Sequence, residues 1–480
     1  MNISVVGFEV LLVGLGLLAL LFDLWASQGA KRIFAYGVAI VLGIALWNGL
    51  NGFDASSVAT VELNGMISVD PFAAALKLLF IGVGIVMSVL VAERRSQNGF
   101  GEFLSITLFA LAGMVLACSA QNFATFFVSI ELITVSFYVL VSFERNRIRS
   151  IEAGVKYLIL GAMSSAIMIY GMALVFGVVG TLRYDELIVA SAEVASSPVF
   201  ALGMVMVIGG LAFKIAAFPF HFWAPDVYEG APSLTTTFLA MGSKAAGVAL
   251  LARLVYGGLP YSAWDWEGFL LILAAVSILA GSLGAIFQTS LKRLLGYSSI
   301  ANGGYLLLGL AAGNQAGAAA TAFYLVAYVV GLALVFVVVN AMSEAGADDD
   351  LVSLAGLGQR CPMAAFALTL GMISLAGIPP LSGFIGKFLI LEATLQEVSR
   401  NPMYWVAFGV LIFGVAVSIY YYFGVLRYLY WPKVVVDDTP VALGWGAKFV
   451  TVVATISAIV LGVAPGAVID SLRTAALALF

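Results

Sequence analysis

Five lysines fall where hydrocarbon is expected to surround them. Lys77, Lys156, Lys214, Lys244 and Lys387 each lie inside a long apolar run. An ammonium at the centre of a membrane helix costs roughly 2.5–3.5 kcal/mol on insertion scales, so five of them are not incidental. Burial disfavours the charged form of an amine in general, which makes such a proton exchangeable near neutral pH. The chemistry open to these groups is proton transfer, or else ion pairing inside a helix bundle. Glu131, within SIELITVSFYVLVSF (Ser129 to Phe143), is the one carboxylate deep in its run. It reads as a structural partner for a lysine on a neighbouring helix, or as a relay carboxylate tuned by such a lysine. The two readings overlap, because a relay also needs the pair. His221 is the only histidine of the chain. It is a further titratable candidate, against the plainer reading of a ring hydrogen-bonded in place.

Two of the lysines accompany helix breakers. The stretch FKIAAFPFHFWAPDVYEGAP, Phe213 to Pro232, holds Lys214, Pro219, His221, Pro225 and Pro232. The stretch SLAGIPPLSGFIGKFLILE, Ser374 to Glu392, holds Pro379, Pro380 and Lys387. Proline inside a helix removes a donor and clashes with the preceding turn. At membrane depth that is tolerated where protein or a wet cavity satisfies the freed carbonyls. A charge beside such a break marks a site by default. Lys214 precedes its break and Lys387 follows its own, roughly 10 Å along the second half-helix. No acidic residue stands within four positions of Lys387, so it is expected to line a hydrated cavity. Lys244, in TFLAMGSKAAGVALLARL, sits roughly 20 Å along its helix from Ala231. Lys156 follows Glu152 by four, which suits an i,i+4 bridge as well as a functional role. Lys77, seven residues past Asp70-Pro71, is placed to snorkel towards a surface. The run Tyr420 to Tyr422 reads as an interfacial belt or core filling.

The elements that carry these groups are membrane helices. Of 480 residues 62% are hydrophobic and only 10% charged, against about 25% charged in a soluble domain. The fold class expected is an all-α polytopic membrane protein of about fourteen spans. They centre near Gly14, Leu42, Gly82, Ala110, Thr134, Met168, Ile208, Ala245, Val276, Leu306, Tyr328, Ser382, Leu411 and Val460. The first run lacks a basic start and reads as a retained span. Cys118 and Cys361 stand far apart, with no metal-ligand spacing. There is also no phosphate loop in a strand–helix setting and no haem site.

Loop charges give sidedness. Lys31, Arg32, Arg94, Arg95, Arg145, Arg147, Arg149, Lys292, Arg293, Arg360, Arg427, Lys433 and Lys448 fall on one side, thirteen in all. Arg183, Arg253, Arg400 and Arg473 fall on the other, four in all. The larger set is expected to face the cytoplasm, with both termini external. The organisation expected is three N-terminal spans (1–100), a block of five (101–257), a second block of five (266–430), and a loop with the last span (431–480). The fourth span of each block carries the prolines and a lysine. Five is odd, so the second block starts from the opposite side, and blocks that share a fold then form an inverted repeat.

The quoted stretches, together with EAGVKYLILGAMSSAIMIYGMALVFGVVGT (Glu152 to Thr181), resemble the antiporter-like membrane subunits of respiratory complex I. The resemblance runs along nearly the whole chain and is strongest from Gly101 to Leu391. VYEGAP after the first break sets it apart from subunits L and M, which tend to carry a histidine and EAP there. The resemblance implies two inverted five-helix repeats and proton translocation driven by quinone reduction in other subunits of an NADH:quinone oxidoreductase. It implies a relay in which Glu131 is the key carboxylate, Lys214 the broken-helix lysine, Lys244 the next-helix lysine and Lys387 the second-repeat channel lysine. Lys156 and His221 match further positions of that relay. No cofactor is implied in this chain; NAD, FMN, iron–sulfur clusters and quinone belong to partner subunits. The partners implied are membrane subunits such as M, K and J in a bacterial inner membrane, and no nucleic acid. One departure stands in GYSSIANGGY (Gly296 to Tyr305): many relatives have histidine where this chain has Asn302, which cannot titrate, so an ordered water would have to serve. Alternatives from other classes are an Mrp-type sodium/proton antiporter subunit, a subunit of a ferredoxin-dependent complex, and a non-transporting subunit whose lysines are merely paired.

Overall fold

The computed structural model describes residues 6–53, 61–95, 98–194, 196–259, 266–431 and 441–480. The expected position of Lys433 lies outside them. The helices run α1 (Gly7–Asp23), α2 (Gln28–Gly52), α3 (Pro71–Ala92), α4 (Phe100–Ala117), α5 (Phe123–Val141) and α6 (Ile148–Val179). They continue with α7 (Tyr184–Val194), α8 (Pro198–Ile215), α9 (Trp223–Gly230), α10 (Ser233–Phe238), α11 (Lys244–Gly258), α12 (Trp266–Ile286), α13 (Leu291–Ala311) and α14 (Gln315–Glu344). The last are α15 (Leu357–Arg360), α16 (Pro362–Ala376), α17 (Ser382–Gln396), α18 (Met403–Tyr430), α19 (Trp445–Val463) and α20 (Gly466–Ala476). A small antiparallel hairpin, β1 (Val61–Leu63) with β2 (Ile67–Val69), precedes α3.

Among the described residues, twelve helices are long and apolar enough to cross a membrane, α10 and α11 counting as one. The chain is therefore an all-α polytopic membrane protein. The α1 helix, of 17 residues, and the split pair α16/α17 stand where the sequence places the first and twelfth spans. Starts are written locally. The side chains of Ser27, Asp70, Asn122, Ser197, Ser290 and Asn314 each accept from the backbone N–H three residues on, which satisfies a donor that a helix start leaves free. The spans of the middle of the chain close around α13 and α14, which are buried along nearly their whole length. Close approach there needs small residues: a Cβ on Gly281 of α12 would run into the backbone of Tyr297 and Ala301 of α13.

Both expected breaks are present and share one geometry. The α8 helix ends with Ala216 in the left-handed region at φ 59°, and α16 ends with Gly377 at φ 82°. In each, the next residue reaches back to close the end. Ala217 N donates to Ala212 O at 2.8 Å, and Ile378 N donates to Ile373 O at 3.2 Å. This is the helix-ending motif in which a left-handed residue lets two N–H groups cap the last carbonyls. Three residues after the left-handed one, both breaks have a cis proline, Pro219 and Pro380. Side chains take up other backbone groups: Trp223 Nε1 donates to Phe213 O at 2.9 Å, and Phe218 N donates to Ser277 Oγ of α12 at 2.9 Å. The span of α10 and α11 is irregular in a different way. Residues Leu239–Ser243 form a π-helical turn immediately before Lys244, an irregularity that recurs at functional sites.

Candidate functional site

Lys214 occupies the last turn of α8 and is 3% exposed. The C-terminal end of a helix carries partial negative charge, which favours a cation there. Its ammonium donates to Thr134 Oγ1 on α5 at 2.6 Å and stands 5.3 Å from the centre of the Phe213 ring. Glu131 lies one turn before Thr134 on the same helix, and its Oε1 accepts from Ser165 Oγ of α6 at 2.5 Å. No ion pair joins Glu131 to Lys214 among the described residues. Each charge is held by a hydroxyl, so the pair is present in a separated form.

Lys244 opens α11 directly after the π-turn and is 3% exposed. Its ammonium donates to the carbonyl and, at 2.6 Å, to the hydroxyl of Ser299 on α13. That hydroxyl also pairs with Tyr228 Oη at 3.1 Å. The neighbouring Ser298 hydroxyl pairs with Tyr422 Oη of α18 and accepts from Asn302 Nδ2 at 3.2 Å. Tyr324 Oη of α14 donates to Asn302 Oδ1 at 2.6 Å. Tyr324 stands edge-on to Tyr305, with ring centres 6.3 Å apart. The ammonium of Lys387 lies 4.8 Å from the centre of the Tyr305 ring. A series of buried polar side chains from α13, α14 and α18 thus runs between Lys244 and Lys387. Asn302 is held at both ends of its amide by side chains.

The ammonium of Lys387 donates to Leu375 O at 2.8 Å and Ala376 O at 3.2 Å, the last carbonyls of α16. It therefore seats on the end of the opposite half-helix, where the dipole again favours a cation, and packs on Tyr305. Both broken-helix lysines thus sit at the C-terminal end of a first half-helix, one from within it and one from across the break.

The other candidates lie apart from this series. The ring of His221 lies between Phe218 and Phe222, with centres at 5.4 and 4.4 Å, and the structure gives it no hydrogen bond to a lysine. The Lys156 side chain is 43% exposed and bridges Glu152 at 2.8 Å and Asp226 of α9 at 2.9 Å. The i,i+4 pair is therefore present, and Arg293 Nη1 extends the ion pairing to Asp226 at 2.7 Å and Glu229 at 2.9 Å. Lys77 does not snorkel. It is buried against Glu9 of α1 at 2.8 Å, a partner too distant in sequence to be read from spacing. Two arginine and lysine positions assigned to loops and helix ends are also buried. Arg253 pairs with Asp70 at 2.6 Å and donates to Cys118 O at 2.8 Å, while Lys292 pairs with Asp349 at 2.9 Å. Among the described residues no three His, Cys, Asp or Glu side chains gather as metal ligands.

Sequence reasoning missed Thr134, Ser165, Ser298, Ser299, Tyr305, Tyr324 and Tyr422. Tyr422, expected in an interfacial belt or as core filling, is buried in the core and hydrogen-bonded as well. One local signal existed: Ser298 and Asn302 are four apart on a span, which puts two polar groups on one face.

Residues 120–415 match the family described as NADH:quinone oxidoreductase/Mrp antiporter, membrane-spanning. The NADH-quinone oxidoreductase subunit N of Desulforamulus reducens is 38% identical, over 99% of this chain and 98% of that protein. A chain of respiratory complex I from Thermus thermophilus with bound aureothin superposes with a TM-score of 0.81 at 30% identity, over 97% of this chain and 99% of that one. A chain of the Mrp complex from Dietzia superposes with a TM-score of 0.84 at 20% identity, over 100% and 98%. At that identity the likeness bears on the fold alone.

Proposed function

Since this chain belongs to the NADH:quinone oxidoreductase/Mrp antiporter family, in its NADH-quinone oxidoreductase subunit N branch, we propose that it carries protons through a buried Glu–Lys relay driven by quinone reduction in other subunits. The observation that supports this most is the series of buried groups from Lys244 through Ser299, Ser298, Asn302 and Tyr324 to Tyr305 and Lys387. Hydrogen bonds join Lys244 to Ser299 and Ser298 through Asn302 to Tyr324, and ring contacts join Tyr324, Tyr305 and Lys387, all at membrane depth without exposing an ion to lipid.

The mechanism is electrostatic. When Glu131 approaches Lys214, the ammonium gains a partner and holds its proton. When Glu131 turns to Ser165, Lys214 keeps only Thr134, and its proton is released towards Lys244. Protonation of Lys244 then favours departure of the proton from Lys387 at the second break. Moving one charge against 100 mV costs about 2.3 kcal/mol, and an ion pair in a poorly screened interior supplies coupling of that order. His221 stands beside the first break as a side branch of this path. Lys156, tied to Glu152 and Asp226, sets the charge on the outer side of α6. The blocks 101–257 and 266–430 act as inverted repeats, a reading supported by the matched ends of α8 and α16. NAD, FMN, iron–sulfur clusters and quinone are held by partner subunits. The subunits M, K and J are the neighbours in a bacterial inner membrane, with the termini external.

The test is Glu131→Gln in the complete complex. Glutamine keeps the shape and a bond to Ser165 but carries no charge. Assembly is expected to persist while proton pumping and coupled turnover fall. Assembled complex with unchanged pumping removes Glu131 from the mechanism.

A further inference from the structure

Asp226, on α9, is held by two cations from different parts of the chain. Lys156 of α6 reaches it at 2.9 Å and Arg293 of α13 at 2.7 Å. Each cation also has a second acid. Lys156 pairs with Glu152 at 2.8 Å, and Arg293 pairs with Glu229 at 2.9 Å. Either cation can therefore let go of Asp226 without being left unpaired. All five side chains are partly exposed, from 31% for Glu229 to 59% for Glu152. Water screens such pairs, so an exchange of partners costs little desolvation. The pairs of Lys77 with Glu9 and of Arg253 with Asp70 are the opposite case. Both are buried, and separating a buried pair leaves an uncompensated charge.

The place of Asp226 in the fold gives that exchange a reach. The short α9 lies between α6 and α13 and packs closely on both. A Cβ on Gly230 would lie 2.7 Å from Arg149 O of α6, and a Cβ on Gly296 of α13 would lie 2.9 Å from Pro225 Cα. Faces stripped of side chains in this way suit the small sliding steps of packed helices. Both outer helices carry a group that holds a charge of the relay. Ser165 stands nine residues beyond Lys156, roughly 13 Å further along α6, and donates to Glu131 at 2.5 Å. Ser299 stands six residues beyond Arg293 on α13 and accepts from Lys244 at 2.6 Å. The same hydroxyl meets Tyr228 Oη at 3.1 Å, two residues beyond Asp226 on α9. A connected set of contacts thus runs from Glu131 through Ser165, along α6 to Lys156, through Asp226 to α9 and α13, and ends on Lys244.

We propose that Asp226 is a latch that couples α6 of the first block to α13 of the second, with Asp226 and Arg293 as positioning residues for Lys244. The proposal rests on Glu131 and Lys244 belonging to the relay. While Glu131 bonds to Ser165, α6 is fixed and Lys156 keeps its place on Asp226. When Glu131 turns to Lys214, Ser165 is released and α6 shifts, with Lys156 falling back on Glu152. Asp226 then belongs to Arg293 alone, α9 follows α13, and Tyr228 changes its grip on the hydroxyl that holds Lys244. No proton passes through the latch; it sets where Lys244 stands when its proton leaves.

The test reads the ratio of proton pumping to quinone reduction in membrane vesicles, with assembly taken from the amount of intact complex. Asp226→Asn keeps the shape and removes the charge. It is expected to lower the ratio about two- to fivefold, the size of one or two half-exposed ion pairs. Asp226→Glu is expected to restore it. Lys156→Arg, which keeps a fixed cation, is expected to pump as the unaltered complex does. Lys156→Gln with Arg293→Gln is expected to fall no further than the weaker single variant, because both changes open one connection. Normal pumping by Asp226→Asn overturns the latch, as does a loss in Lys156→Arg or an additive loss in the double variant. If Asp226→Asn does not assemble, Arg293→Gln takes its place, since it leaves Asp226 its pair with Lys156; normal pumping there overturns the latch equally. Glu131→Gln separates the two levels of the argument. If it pumps normally, the relay itself fails; if it does not pump while Asp226→Asn does, only the latch fails.

Discussion

Gly377→Ala offers a measurement of what the second break does for Lys387. The backbone at Gly377 has φ 82°, a region that costs an L-residue about 1–2 kcal/mol. The first break shows that the cost is bearable, because Ala216 already occupies the matching place at φ 59°. The side-chain consequence is the larger one. A Cβ at position 377 would lie 2.8 Å from Lys387 Cδ and 3.5 Å from its Cε and Nζ. The lysine stem must shift aside, and one of its ammonium's bonds to Leu375 O and Ala376 O is expected to be lost. Hydrogen bonds to a charged group contribute about 1.5–3 kcal/mol each. Loss of one of them is a tenfold change or more in the occupancy of the seated ammonium, since about 1.4 kcal/mol is tenfold. The assay is the ratio of proton pumping to quinone reduction in membrane vesicles, with assembly read from the amount of intact complex. Gly377→Ala is expected to assemble and to pump poorly; Ala216→Gly, which relieves a strained residue, is expected to do both well. Normal pumping by Gly377→Ala refutes the idea that the seat matters. Failure to assemble refutes the estimate that the backbone cost is small.

Other outcomes follow from the same geometry. Lys387→Met is expected to lose pumping in an assembled complex, and Lys387→Arg to fail too, because a guanidinium cannot release its proton; an arginine variant that pumps normally would mean that only a fixed charge is needed. Arg253→Met strands the buried Asp70 and is expected to destabilise the subunit by about 3–5 kcal/mol, towards the lower end because Asp70 still caps α3 through Ala73 N; thermal denaturation of the purified complex measures it. Arg147→Cys is expected to resist an impermeant thiol reagent applied to intact cells and to react in inside-out vesicles. Ready labelling from outside would reverse the proposed orientation.

The helices and the breaks were legible because their signals are local. Long apolar runs announce the spans, Pro219 and Pro380 announce interruptions, and a lysine in an apolar run is visible without a partner. The partners were not legible. Lys77 finds Glu9 across 68 positions, and Ser298 finds Tyr422 across 124; both pairings arise from packing, which no periodicity encodes. The carbonyl seat of Lys387 was not legible for a physical reason. Its own helix offers no acid, but a broken helix ends in free carbonyls, and those are ligands for an ammonium. His221 and Lys156 were candidates from residue type and spacing as well as from the resemblance, and the structure places them in an aromatic stack and an outer ion-pair group.

The π-turn at Leu239–Ser243 has a geometric consequence. A straight α-helix advances about 100° per residue, so every side chain is locked in phase with those a turn away. A single wider turn accommodates an extra residue and resets that phase by a comparable angle. The segment before it can then present Thr237 to Asn340 of α14, while the segment after it presents Lys244 to Ser299 of α13. One continuous span thereby serves two neighbours that a regular helix would force to compete for the same face. Deleting one residue within the turn would restore the regular ladder and swing Lys244 and Arg253 together, away from Ser299 and Asp70, without changing either side chain.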